Sequence, residues 1–401
     1  VKIRNSRSGN IFSPRKRNEV CGVLRHKAYK FRIYPNQEQE ILISKTIGCA
    51  RFVYNHFLQL WNTSYAETGK GLSYHKCSAM LPMMKVEEET SWLQEVDSIA
   101  LQSSLKNLAD SFTRFFNKQN GKPQFKSKKY PVQSYTTKYV NDNIAVNGNL
   151  LKLPKLGQVK FANSQDVSGR ILRATIRKYP SGKYFVSLLC EEKIAEFPKT
   201  NSSIGIDLGI LDFAVFSDGR KVDNHRFTAK MEKKLKREQR KLSRRALLAK
   251  KKGIDLLEAK NYQKQRRKVA RMHEKVMNQR TDFLNKLSTD VIKNHDTICM
   301  EDLNTKGMMK NRKLAKSISD VSWSRFVKQL EYKAKWYGKK VIKIDRWYPS
   351  SQICSACGHQ AGRHPLSVRE WICPFCHSCH DRDVNASINI LKEGLRQLSL
   401  T

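Results

Sequence analysis

The sequence predicts a multidomain α+β protein in which a β-barrel, interrupted by a helical insertion, is followed by an α/β domain carrying a cysteine-knuckle insert. Three observations predict it. Apolar residues pass from alternation to helical spacing and back to alternation between residues 27 and 192. Short apolar runs at 204–208 and 297–301 are then separated by a long helical stretch, as in an α/β domain. Two Cys-x2-Cys pairs stand close to the C-terminal end.

Residues 1–25 are basic and polar and read as a flexible arm. Residues 27–34 alternate and stop at Pro35-Asn36, a strand ending in a turn. From Gln37 onward Ile43, Ile47, Ala50, Tyr54, Phe57 and Trp61 recur at helical spacing, and Leu101, Leu105, Leu108, Phe112 and Phe115 form a second such face. Residues 37–118 are therefore a helical domain inserted after one strand. Short apolar pieces at 144–146, 150–153 and 159–161 follow, and 171–177 and 184–190 flank the hairpin signal Pro180-Ser181-Gly182. Segments 26–36 and 119–200 together make the barrel or curled sheet, with 193–202 a polar linker.

The α/β domain is expected over 201–345 and 381–401. It holds a strand at 204–208 with a hairpin partner at 213–216, and a helical pair turning near Gly253. A strand at 297–301, a helix at 324–337, a strand at 341–344 and a last helix at about 384–398 complete it. Residues 346–380 hold the insert. The 401-residue length suits about two to four domains.

Lys and Arg number 76 against 36 Asp and Glu, a net charge of +40. Self-repulsion on that scale is relieved by a bound polyanion, and nucleic acid is the obvious one. A ribosomal or histone-like packing protein would share the charge. No apolar run reaches the roughly 18 residues of a membrane span, and residues 1–25 lack the apolar core of a secretory signal. Cys49, Cys190 and Cys299 sit singly in apolar runs, as reduced core residues do, which fits a reducing cytosol.

Three acids interrupt apolar elements. Asp207 ends Ile204-Gly205-Ile206, Glu301 ends Ile298-Cys299-Met300, and Asp383 precedes the last helix. Burying a carboxylate there is costly unless a cation or hydrogen bonds compensate. Taken singly, Asp207 and Glu301 also read as solvated strand ends and Asp383 as a helix N-cap. Taken together, an Asp on a first strand, a Glu on a later strand and an Asp on a late helix form the order of an RNase H-like nuclease. Two Mg²⁺ ions about 4 Å apart would then activate water and stabilise both oxygens of a phosphodiester displacement.

Cys354 and Cys357 are followed after 15 residues by Cys373 and Cys376, the spacing of a zinc ribbon with four thiolates on one structural Zn²⁺. Cys379, His377 and His380 are spare donors nearby and read as bystanders. The basic stretch of residues 230–280 holds 20 Lys and Arg against 5 Asp and Glu. Arg237, Arg240, Lys241, Arg244 and Arg245 suit an RNA or heteroduplex backbone; a solvated charged face reads the same way.

On these residues the chain resembles the TnpB family, the compact transposon-associated ancestors of type V CRISPR effector nucleases. The resemblance is carried by residues 27–36 and Ala50-Arg51-Phe52-Val53-Tyr54-Asn55, by Gly205-Ile206-Asp207-Leu208-Gly209, and by Glu301-Asp302-Leu303. Tyr348-Pro349-Ser350-Ser351-Gln352, both knuckles, and His380-Asp381-Arg382-Asp383-Val384-Asn385-Ala386 extend it. It implies a wedge-like barrel, a helical recognition domain, a split RuvC nuclease domain and a zinc-ribbon insert that loads target. It implies RNA-guided cleavage of double-stranded DNA beside a short adjacent motif, with a guide RNA from the transposon end. A monomeric ribonucleoprotein working in the prokaryotic cytoplasm, at the nucleoid and without a membrane partner, follows from the same resemblance. Tyr74, Gln102 and Asn141 match positions near the target-adjacent duplex, although ordinary surface residues look alike. The arm before residue 26 and His377, where the family has glycine, depart from the pattern. A cleavage-inactive DNA-binding regulator would be expected to lose one of the three acids; a transposase would keep them.

Overall fold

The computed structural model describes residues 22–365 and 367–400. Most of the expected basic arm, residues 1–21, lies outside the described residues, and residues 22–25 begin the first strand instead.

After β1 (Gly22–Tyr34) come α1 (Gln37–Thr68), α2 (Tyr74–Val86), a 3-10 turn (Glu88–Glu95) and α3 (Ser98–Phe116). The chain returns as β2 (Gln133–Lys138), β3 (Ala145–Asn147), β4 (Leu150–Leu153), β5 (Gly157–Phe161), β6 (Arg170–Lys178) and β7 (Tyr184–Ala195). These strands and β1 form one antiparallel sheet in the order β2-β6-β7-β1-β5-β4-β3. Tyr135 of β2, Ile176 of β6, Phe31 of β1 and Leu151 of β4 share one apolar core. A core fed from both ends of a seven-stranded sheet requires the sheet to curl.

The α1 helix starts where Asn36 accepts from the Gln39 backbone N–H at 2.8 Å while Gln39 Oε1 accepts from the Asn36 N–H at 3.1 Å, a capping box. Its first half buries Ile43, Ile47 and Ala50 in the sheet's core, and its second half buries Val53, Phe57 and Leu58 against α2 and α3. The polar stretch expected as a linker at 193–202 is strand up to Ala195. The reason is Glu192, which is buried yet satisfied: it accepts from Lys27 Nζ at 2.8 Å, the Tyr29 hydroxyl at 2.6 Å and Ser168 Oγ at 2.7 Å.

The second sheet begins with β8 (Ser203–Asp207), β9 (Asp212–Phe216) and β10 (Lys221–Asp223). The long hairpin of α4 (Phe227–Lys251) and α5 (Lys260–Asn294) follows, turning near Gly253, whose φ is +65°. Then come β11 (Thr297–Glu301), α6 (Thr305–Met308), α7 (Ala315–Val321), α8 (Trp323–Tyr337) and β12 (Lys340–Ile344). A 3-10 turn (Ser350–Gln352), β13 (Glu370–Ile372), β14 (Cys379–Asp381) and α9 (Arg382–Ser399) end the described chain. Strand order is β10-β9-β8-β11-β12, with β11 parallel to β8 and to β12.

This sheet's two faces carry different residues. Ile204, Ile206, Ile298 and Met300 pack with Leu284 and Val291 of α5 and Phe326 and Leu330 of α8. The alternate residues Gly205 and Cys299 meet α9. A Cβ on Gly205 would lie 2.0 Å from the Ser387 carbonyl oxygen, and one on Gly394 would lie 2.3 Å from Cys299 Sγ. Two missing side chains thus let α9 lie directly on the sheet.

Candidate functional site

Strand alternation carries Gly205 and Cys299 on to Asp207 and Glu301, so both acids project to the α9 face. Ile206 is in register with Met300, which puts Asp207 and Glu301 side by side at the C-terminal ends of adjacent parallel strands. Asp383 enters the same face from the first turn of α9. It is not the helix cap. Asp381 is, accepting from the Asp383 and Val384 N–H groups at 3.1 and 2.9 Å. The Asp383 carboxylate is thereby left free to face the strands.

The electrostatics record the convergence. The Asp207 carboxyl is pushed up to about 7, first by burial and then by the negative charges of Glu301 and Asp383. Burial also raises Glu301, against a hydrogen bond of 2.7 Å from Ser350 Oγ to Glu301 Oε1. Arg369 reaches Asp383 at 3.2 Å, and Lys221 reaches Asp381 at 2.6 Å. All three acids are half-buried, so a solvated ion can reach them. Hard oxygen donors whose mutual repulsion Arg369 and Ser350 only partly offset are what a divalent cation would neutralise.

The four cysteines close more tightly. Their sulfur atoms all lie within 4.8 Å of one another, with Cys354 Sγ 3.6 Å from Cys376 Sγ and Cys357 Sγ 3.8 Å from Cys373 Sγ. Thiolates about 2.3 Å from one tetrahedral ion would stand at that separation, so the set fits a metal. Among the described residues the four cysteines are the group of donors close enough to share one ion, and the three carboxylates do not form a second. Both knuckles make the same turn, with Gly358 N–H bonded to the Cys354 carbonyl at 2.9 Å and His377 N–H to the Cys373 carbonyl at 3.0 Å. Gly358 has φ +79° and His377 φ +57°, so the turn survives the departure at His377. His377 and Cys379 are exposed. His380 stands closer, its Nε2 3.0 Å from Cys354 Sγ and its ring packed on Trp371.

The knuckles are tied to the acid site through α9. Asn385 Nδ2 donates to the Ile353 carbonyl at 2.8 Å and Asn385 Oδ1 accepts from Ser355 N–H at 2.8 Å, while Asn389 Nδ2 donates to the Ser350 carbonyl at 2.8 Å. Sequence reasoning missed Ser350, Arg369 and these asparagines as site residues. The Tyr348-to-Gln352 block marked Ser350's neighbourhood; no local signal marked Arg369.

The expected nucleic-acid contacts scatter more widely. Tyr74 opens α2, with Lys106 Nζ 5.7 Å from its ring centroid, and Gln102 is exposed one turn before Lys106 on α3. Asn141 is exposed apart from them, in the turn after β2 at φ +47°. On α4, Arg240 and Arg244 are exposed with no acidic partner among the described residues. Arg237 and Lys241 flank the buried Glu238 at 3.7 and 3.8 Å. Arg245 is committed within the hairpin, donating to the Asn261 carbonyl at 2.9 Å.

Comparison with known proteins agrees along the chain. Residues 187–312 match the OrfB_IS605 family, described as "Probable transposase", residues 323–390 match the Cas12f1-like TNB domain, and residues 25–70 match the helix-turn-helix domain of OrfB_IS605 proteins. A Streptomyces pristinaespiralis protein named "Putative RNA-guided DNA endonuclease" is 38% identical over 92% of this chain and 89% of its own length. InsQ of Escherichia coli K12, described in the same words, is 33% identical over 92% of each chain. The Cas12f1 protein, solved with its sgRNA and target DNA, shares the fold at a TM-score of 0.55 and 14% identity, covering 92% of this chain and 98% of that one.

Proposed function

Because the chain belongs to the TnpB family of OrfB/IS605 proteins, we propose that it is an RNA-guided DNA endonuclease that cuts with Asp207, Glu301 and Asp383. The observation that carries this is the Asp207 carboxyl, held near 7 by burial among Glu301 and Asp383 at one edge of the α9 face. Such a cluster is costly to the fold and useful to phosphodiester chemistry.

The three carboxylates would hold Mg²⁺, two ions in this reading, and bound there the metal would supply charge stabilisation for the entering and leaving oxygens of the scissile phosphate. Ser350 fixes the Glu301 carboxylate by its 2.7 Å hydrogen bond. Asp381 caps α9 and so sets the direction from which Asp383 enters. Arg369 balances Asp383 until a cation does. Cys354, Cys357, Cys373 and Cys376 would hold one Zn²⁺, a closed structural set with no position left for substrate. The guide RNA is read by its backbone along the α4–α5 hairpin, and target DNA beside a short adjacent motif lies near Tyr74 and Gln102, with the complex a monomeric ribonucleoprotein.

A strand-transfer reading is favoured by the words "Probable transposase" attached to the match at 187–312. Purified protein with its copurified RNA separates the two. Mg²⁺-dependent cutting of a matched duplex is expected, and Asp207→Ala should lower it at least a thousandfold while duplex binding persists. Cutting by Asp207→Ala at the wild-type rate rejects the acid assignment, and joining of DNA ends rather than cleavage rejects the endonuclease.

A further inference from the structure

The connection from β12 to the first knuckle is pinned to the acid cluster at both ends. Ile344 is in register with Glu301, and Ser350, six residues on, donates to the Glu301 carboxylate. Between them the backbone is fixed: Trp347 N–H donates to Asp345 Oδ1 at 2.7 Å and Tyr348 N–H to the Asp345 carbonyl at 3.1 Å. Tyr348 packs inward with Cys299, Ile344 and Ile390. Trp347 goes the other way. It is 84% exposed, more than any other large apolar side chain among the described residues.

A lone exposed apolar residue needs no explanation in general. This one is an indole three residues past Ile344, the register partner of Glu301, on a turn held by two hydrogen bonds, in a chain of net charge +40. Its neighbour Arg346 reaches across to Asp302, the residue after Glu301, at 2.7 Å. That pair occupies the Asp302 carboxylate, while the Asp345 carboxylate holds the Trp347 N–H. An exposed indole face in so basic a chain is the chemistry that receives an unpaired nucleobase rather than a duplex backbone.

We infer that Trp347 is a stacking platform for one unpaired base of the DNA strand delivered to Asp207, Glu301 and Asp383, and that this contact sets which phosphate reaches them. The inference rests on the nuclease reading of those acids. Every base offers a π-face, so the platform selects position along the strand and not sequence. An indole this exposed can be replaced without disturbing a core.

The test uses the complete ribonucleoprotein with target DNA carrying 2-aminopurine at successive positions around the cut. Trp347→Ala should abolish the quenching seen at one position and slow single-turnover cleavage about tenfold. Trp347→Phe should keep the quenching and most of the rate. Unchanged quenching and rate in Trp347→Ala would overturn the platform, as would equal damage in both variants. Should the wild type not cut at all, the nuclease reading falls by itself. Quenching that Trp347→Ala removes would then still support the platform, and its absence in the wild type would overturn it.

Discussion

Burial and two like charges take the Asp207 carboxyl from its ordinary 3.8 up to about 7. Without a cation, the folded protein keeps a proton there that the unfolded chain releases near pH 4. A raised carboxyl pKa means the folded state binds more protons than the unfolded one between those two values. Stability therefore falls as pH climbs from about 4 to about 7, and stays low above that. Asp207→Asn should melt higher than the wild type at pH 8 in chelator, with the gap closing toward pH 4, and Mg²⁺ should raise only the wild-type melting temperature appreciably. A gap that ignores pH would remove the like-charge account. His377 is the opposite kind of residue, one whose backbone sits at φ +57° at a cost of about 1–2 kcal/mol because the knuckle demands that turn.

The α9 helix is the element through which the site is assembled. One end brings Asp383 to the strands, its buried face clamps the chain from Ser350 to Ser355, and its middle lies in the notches left by Gly205 and by its own Gly394. The obstacle to a side chain at 205 is a backbone oxygen 2.0 Å from the Cβ position, which no rotamer change can relieve. Gly205→Ala should destabilise the protein by about 1–3 kcal/mol in denaturant melts. Cleavage should fall further than stability explains, because Asp383 is displaced with the helix. A variant that unfolds and cuts like the wild type would show that α9 does not need this close approach.

Across the described residues, a seven-stranded and a five-stranded sheet with separate cores are joined by the short segment between β7 and β8, and the α4–α5 hairpin is strongly basic. Glu238, only 1% exposed, is the acid around which that hairpin is pinned, taking Lys268 at 3.1 Å and Gln265 at 2.8 Å. Arg245 belongs to the same internal set, whereas Arg240 and Arg244 face outward. Replacing Arg240 and Arg244 together by Ala should leave the melting temperature unchanged and weaken guide-RNA binding. The slope of log affinity against log salt should shrink by about 1 per arginine. An unchanged slope would place the RNA elsewhere. Among the described residues no helix is long and apolar enough to cross a membrane.

The sequence alone determined whatever is encoded by short-range pattern. A short apolar run between turn residues placed β4 at its observed bounds, alternation placed β1 within its own, helical spacing placed α1 and α3, and cysteine spacing marked all four members of the sulfur cluster. It also singled out Asp207 and Glu301, because a carboxylate at the end of a buried strand conflicts with its neighbours. It missed α2, where Pro82 and apolar residues spread over several sides hide a helix that packing completes, and it ended β7 at Cys190 because the charged residues after it look exposed until Lys27, Tyr29 and Ser168 surround Glu192. Only the tertiary structure decided which face the acids share, that Asp381 rather than Asp383 caps α9, and that Ser350 and Arg369 attend them. These facts depend on register and helix placement between segments as distant as Asp207 and Asp383, and contacts of that range leave no periodic trace in a single chain.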